Sequence, residues 1–214
     1  MSETSSHGDH ARVHAPATLR NREPILAVLQ RVLPAAGLVL EIASGTGEHA
    51  AFMTPRLASG LIWQPSEARA AALPIIDGYA RDAACDRIRP AVRLDASKPE
   101  WPIERADALF CANMIHIAPW EAAVGLFAGA GTRLAAGAPL VLYGPFKRHG
   151  AHTAPSNESF EAGLLAKDPR WGVRCLDTQL TSLARDNGFE LAEVVAMPAN
   201  NLIVVFWRND RQLI

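Results

Sequence analysis

The feature that most constrains this chain is an apolar run ending in a turn of small residues. Leu38-Val39-Leu40-Glu41-Ile42 leads into Ala43-Ser44-Gly45-Thr46-Gly47, and a helix-compatible stretch follows over 48–57. A strand that passes through a glycine turn into a helix lets backbone approach a ligand closely. It also aims the helix's first amide groups at that ligand. Such a unit belongs in an α/β domain and is expected to hold a nucleoside-bearing cofactor.

The remaining sequence alternates to match. Apolar runs over 61–64, 88–94, 107–112 and 139–143 read as buried strands, and 189–197 and 202–208 as the arms of a hairpin across Pro198-Ala199-Asn200-Asn201. Helical patterns fall at 23–33, 66–73, 77–85, 121–135, 156–166 and 176–187. Pro24 is expected in the first turn of the 23–33 helix, with Asn21-Arg22 at its entrance either as cap and surface charge or reaching toward the cofactor pocket, and Pro65 is expected to end the second strand. This alternation predicts an α/β fold, a doubly wound, mostly parallel sheet with one hairpin at its C-terminal end.

A chain of 214 residues, 49% of them apolar, suffices for one such domain, expected over 15–214 behind a polar, mobile leader at 1–14. The formal net charge of −1 and the lack of a dense Lys/Arg run give no footprint for nucleic acid or an anionic membrane surface, beyond the local pair Lys147-Arg148. No apolar run approaches the roughly 20 residues of a membrane span, and no signal-peptide core is visible. Cys85, Cys111 and Cys175 are few and widely spaced, as expected of reduced thiols in a cytoplasmic protein. The leader histidines His7, His10 and His14 lack partner ligands at metal-binding spacing, so no metal is expected.

Gly45-Thr46-Gly47-Glu48-His49-Ala50 satisfies the dinucleotide pattern G-x-G-x-x-A, which keeps an NAD-dependent oxidoreductase in view. Read with the residues before it, Glu41 to Gly47 resembles motif I of class I S-adenosylmethionine (SAM)-dependent methyltransferases, with Ala43 in place of the first glycine. An acid about 20 residues on can accept from ribose hydroxyls, and Glu67 lies there, with Gln64 and Ser66 as alternatives. The methyltransferase resemblance further implies Asp95 and Ala96 at the adenine. Asn113 ends the fourth strand over the methyl-donor site, and His116 beyond it is the candidate proton acceptor. Tyr143 ends the fifth strand and, with the loop carrying His149 and His152, is placed to line an acceptor pocket. The cofactor set is thus Glu41, Ala43, Ser44, Gly45, Gly47, Glu67, Asp95, Ala96 and Asn113, and the catalytic candidates are His116 and Tyr143.

Five strings in order extend the resemblance: the Glu41 to His49 stretch, Trp63-Gln64-Pro65-Ser66, Asn113-Met114-Ile115-His116-Ile117-Ala118-Pro119-Trp120, Leu142-Tyr143-Gly144-Pro145-Phe146 and Asp168-Pro169-Arg170-Trp171-Gly172-Val173-Arg174. Together they resemble a methyltransferase-like family formerly labelled a domain of unknown function (DUF938 type), over about 20–208. That resemblance implies a Rossmann-like class I methyltransferase fold, seven strands with an antiparallel C-terminal strand. It also implies SAM as cofactor and no particular substrate. The expected activity is methyl transfer to a small-molecule acceptor. The alternatives are the oxidoreductase and a non-catalytic SAM- or nucleoside-binding protein.

Overall fold

A computed structural model describes residues 16–209. Its centre is a seven-stranded sheet: β1 (Ala36–Ile42), β2 (Gly60–Glu67), β3 (Val92–Arg93), β4 (Ala108–Ala112), β5 (Pro139–Gly144), β6 (Phe189–Met197) and β7 (Asn201–Arg208). The order is β3-β2-β1-β4-β5-β7-β6. The first five strands are parallel, while β7 runs antiparallel to both β5 and β6. The predicted hairpin is therefore present, and it inserts its second arm beside β5. Such an inserted antiparallel strand distinguishes this sheet from the 3-2-1-4-5-6 order of dinucleotide-binding folds.

Period-two alternation explains why both faces are covered. In β1, Leu40 and Ile42 face α4 (Trp120–Arg133) and its neighbours, with Leu126, Phe127 and Ala130 fully buried against Leu140 and Phe206. Val39 points to the other face. There it meets Ile25 and Leu29 of α1 (Pro16–Val32) and Met53 of α2 (Glu48–Met53), beside Phe110 and Val205. The helices α3 (Leu73–Asp82), α5 (Pro155–Leu165) and α6 (Thr181–Asp186) complete the set.

Several local expectations yield to tertiary context. The first helix begins at Pro16, so Pro24 lies in its interior and Asn21 is a buried helical residue rather than a cap. Burial of Ile25, Leu29 and Val32 outweighs the hydrogen bond that Pro24 cannot donate to the Arg20 carbonyl. Pro65 likewise does not end β2. Trp63 and Glu67 turn their backbone groups to the β3 side, where Trp63 bonds Arg87 and Arg89 and Glu67 accepts from Leu94. Pro65 faces that side too, level with the gap between the Trp63–Ile88 bridge and Val92, so its missing N–H costs no ladder bond.

The expected helix at 66–73 is instead the end of β2 and a single 3-10 turn, Ala70–Ala72, and the third strand shrinks to Val92–Arg93. The expected 176–187 helix opens with a π turn, Leu176–Leu180, and the 48–57 helix closes with a 3-10 turn, Thr54–Arg56. Among the described residues no helix is long and apolar enough to cross a membrane. The leader at 1–14 lies outside them.

Candidate functional site

The chain leaves β1 toward β2 on one side and β4 on the other, which opens a crevice at the carboxyl edge of the sheet. The turn after β1 fills it. Ala43 has φ 58°, Gly45 62° and Gly47 87°, so three left-handed residues within five fold the backbone back on itself. Alanine at the first of these accepts a conformation that glycine adopts freely. The two glycines differ in purpose. A side chain on Gly47 would lie 2.9 Å from the Ile76 backbone of α3, so this glycine is needed for packing. A side chain on Gly45 would meet nothing within 4 Å, so that residue borders open space.

Beneath the turn, Glu41 is buried and accepts from Ser44 Oγ at 2.8 Å and from Trp63 Nε1 at 3.0 Å. Burial raises its carboxyl above the usual range, opposed by those two bonds. Ser44 is further tied to β2, its Oγ accepting from Ser66 N at 3.1 Å and its N–H donating to Ser66 O. Both side chains thus brace the turn from below.

Glu67 closes β2 beside the turn. Its Oε2 accepts from Gly45 N at 3.1 Å, and its Oε1 from Arg69 N and Nε, both at 3.2 Å. A carboxylate has about four lone-pair sites, two on each oxygen, so Oε1 is filled and Oε2 retains room for one more donor. Gln64 and Ser66 are committed elsewhere. Gln64 Nε2 donates to Pro65 O and Pro90 O, and Ser66 Oγ donates to Glu41 O.

Asp95 follows β3 at the same edge. It is exposed, and its Oδ1 accepts from Ser97 N at 2.9 Å and Ser97 Oγ at 2.7 Å, the bonding of a turn-forming aspartate. Ala96 is buried, its carbonyl pressed onto α4 where Gly125 leaves room. Asn113, with φ 62°, ends β4 and donates its N–H to Tyr143 O at 2.7 Å. All these positions therefore lie along one edge, as the spacing of strand ends predicts.

A cavity of about 500 Å³ opens beyond β4 and β5. Asn113 and Ile117, Tyr143 and Pro145, Arg20 and Asn21 of α1, Ser156, Asn157 and Phe160 of α5, and the hairpin residues Pro198, Ala199 and Asn201 line it. Tyr143 shares hydrogen bonds with Asn21 and Asn201, and burial raises its phenol above the ordinary value. Asn21 Oδ1 also lies 3.0 Å from His49 Nε2. Burial lowers His49 to about 4, so its ring is neutral and donates through Nε2. Asn21 thereby joins the helix after the glycine turn to the cavity floor. The sequence points to α1 through Asn21-Arg22 alone and gives no sign of α5; of that pair Asn21 lines the cavity, and its neighbour there is Arg20 rather than Arg22.

His116 is not on the cavity surface. It has no exposed area, its ring meets Phe146 edge-on at 4.9 Å, and its Nδ1 accepts from Arg174 N at 3.2 Å. Nε2 therefore carries the proton and has no described partner. Burial first, then the Arg174 charge, lowers the group to about 3. A neutral, enclosed imidazole of this kind is a poor proton acceptor for a molecule in the cavity. What it does is hold the loop after β4, with its own carbonyl accepting from Gly172 N and the Arg174 guanidinium gripping Ile115 O and Ala118 O. Of the loop histidines, His149 is bound to Asp177 through its backbone N–H, and His152 meets Glu161 at 2.8 Å. Neither lines the cavity.

A family model described as "Protein of unknown function (DUF938)" matches residues 12–208. Among solved structures, the mitomycin 7-O-methyltransferase MmcR superposes with a TM-score of 0.74 at 17% identity, over 90% of this chain and 54% of the other. CalO1, a methyltransferase in calicheamicin biosynthesis solved with S-adenosylhomocysteine (SAH) bound, gives 0.69 at 20%, over 87% and 53%. An O-methyltransferase family protein from Burkholderia thailandensis gives 0.72 at 16%, over 92% and 58%. The chain spans little more than half the length of each, and at these identities the likeness is one of fold: a Rossmann-like methyltransferase sheet.

Proposed function

This chain belongs to the DUF938 family, and we propose that it is a SAM-dependent methyltransferase acting on a small-molecule acceptor. The observation that carries this reading is the glycine turn. Gly45 borders open space and is bonded to Glu67 at the sheet's switch point, next to a separate cavity of about 500 Å³. A crevice for a nucleoside and a neighbouring chamber for a second molecule are what a two-substrate transfer requires.

In this reading Ala43, Ser44, Gly45 and Gly47 supply the backbone that holds the methionine and ribose portions, with Glu41 bracing them. Glu67 accepts from a ribose hydroxyl through Oε2, Asp95 and Ala96 border the adenine, and Asn113 stands between the two chambers. SAM, if bound here, would supply an electrophilic methyl group for the acceptor's nucleophile and would leave as SAH. The protein's work is alignment and exclusion of water. Tyr143, held between Asn21 and Asn201, presents a fixed phenol oxygen to orient the acceptor's nucleophile, and a proton released from that nucleophile leaves through the open mouth of the cavity.

Titration calorimetry of the purified protein with SAM and SAH tests the reading, and binding of both is the expected result. Binding of NADH, followed by nicotinamide fluorescence, without binding of SAH would establish the oxidoreductase instead.

A further inference from the structure

Resting on the methyl-transfer reading, we infer that the acceptor carries a carboxylate and that Arg20 is the residue that recognises it. The twelve described residues around the cavity include one cation, Arg20, and no aspartate or glutamate. The charge of Arg20 reaches the cavity floor, where it acts to lower the Tyr143 phenol against the larger effect of burial. No described carboxylate lies within ion-pairing distance of it. Among the other described arginines, Arg31, Arg69, Arg148 and Arg170 pair with carboxylates, and Arg87, Arg133, Arg174 and Arg208 are held by backbone carbonyls. An arginine at the wall of a cavity with no described acid is a site for an anion, and its planar guanidinium fits one carboxylate with two parallel hydrogen bonds.

The rest of the lining describes the remainder of that molecule. Ile117 and Phe160 are large apolar side chains left more than 40% exposed at the cavity wall, and Pro145 and Pro198 add to that surface. Asn113, at the end of β4, lines the same space. An acceptor that spans these features has an apolar body, a carboxylate at Arg20 and a nucleophilic atom near Asn113 and Tyr143. Its negative charge is also attracted by the positive sulfonium of the methyl donor.

The test uses the full chain saturated with SAH. A panel of small monocarboxylates (aromatic, aliphatic, hydroxy and amino acids), each paired with its primary amide and supplemented by phenyl phosphate, is measured by calorimetry and thermal shift. At least one carboxylate is expected to bind about tenfold tighter than its amide. Arg20→Gln is expected to abolish that preference and Arg20→Lys to retain part of it, with SAH affinity unchanged in both. Equal binding of acid and amide, no binding by any carboxylate, a preference surviving in Arg20→Gln, or binding of phenyl phosphate alone would each overturn the assignment while leaving the methyl-donor site intact. Failure of the wild type to bind SAH is the separate result that removes the reading beneath it.

Discussion

The amide of Gly45 donates to the carboxylate of Glu67 across 3.1 Å, so the turn after β1 and the end of β2 are joined by a charge-assisted bond. Through it, any loss at Glu67 reaches the turn itself. Glu67→Gln keeps one acceptor oxygen and is expected to fold normally, while SAH affinity falls by about tenfold or more. Calorimetry on the variant, with circular dichroism as the control for folding, checks this. Unchanged affinity would remove Glu67 from the cofactor site.

The two glycines of the turn separate packing from binding. Gly47→Ala forces a Cβ to within 2.9 Å of the Ile76 backbone and is expected to destabilise the fold by more than about 2 kcal/mol. Gly45→Ala meets open space, so only the left-handed strain of about 1 kcal/mol applies to stability. Its methyl group, however, projects where the cofactor is proposed to lie, and SAH affinity is expected to fall at least about tenfold. Urea denaturation and calorimetry on the pair give the two readouts.

Ala43 holds φ 58° in the position where the related motif has glycine. Ala43→Gly relieves a left-handed cost of about 1–2 kcal/mol and gives back part of it as unfolded-chain entropy. The net expectation is a gain of about 0.5 kcal/mol in urea denaturation. A loss of stability would mean that contacts of the Ala43 methyl with the core outweigh its backbone strain.

Acid is expected to destabilise the protein partly through His116 and His49. Their folded-state values are lowered to about 3 and about 4, against 6.5 for the free side chain. As pH falls through 6.5 the unfolded imidazoles take up protons that the folded ones refuse. Each then removes up to about 1.4 kcal/mol per pH unit until its folded value is reached. Glu41 acts in the opposite sense: its raised value makes the folded state the better proton binder, so that contribution is lost as pH rises through the folded value. His116→Asn keeps the acceptor for Arg174 N and leaves Glu41 in place. Its urea midpoint is expected to start lower, by about 2 kcal/mol of stability, and to fall less steeply than the wild type between pH 6.5 and 4.5. Parallel slopes would place the acid sensitivity elsewhere.

The sheet was legible because its evidence is local. Val39, Leu40 and Ile42, or Phe110 and Cys111, alternate between faces that are both buried, and that pattern is written in consecutive residues. The turn from Ala43 to Gly47 is legible for the same reason, since small residues between strand and helix have few alternatives. Pro24 and Pro65 were misread because each is tolerated by something distant: a helix face packed on the sheet for one, and a gap in the β3 ladder for the other.

The cavity divides along the same line. By itself the sequence determined the alternating sheet, the strand ends that share one edge and the glycine turn among them, because spacing along the chain sets where parallel strands finish. Only the tertiary structure decided that Arg20 and Asn21, far upstream, face Tyr143 and Asn201, and that His116 turns inward under Phe146 rather than toward a substrate. Those side chains meet through long-range packing of α1, α5 and the hairpin turn. No periodicity in the sequence encodes the direction a single side chain takes once its element has docked.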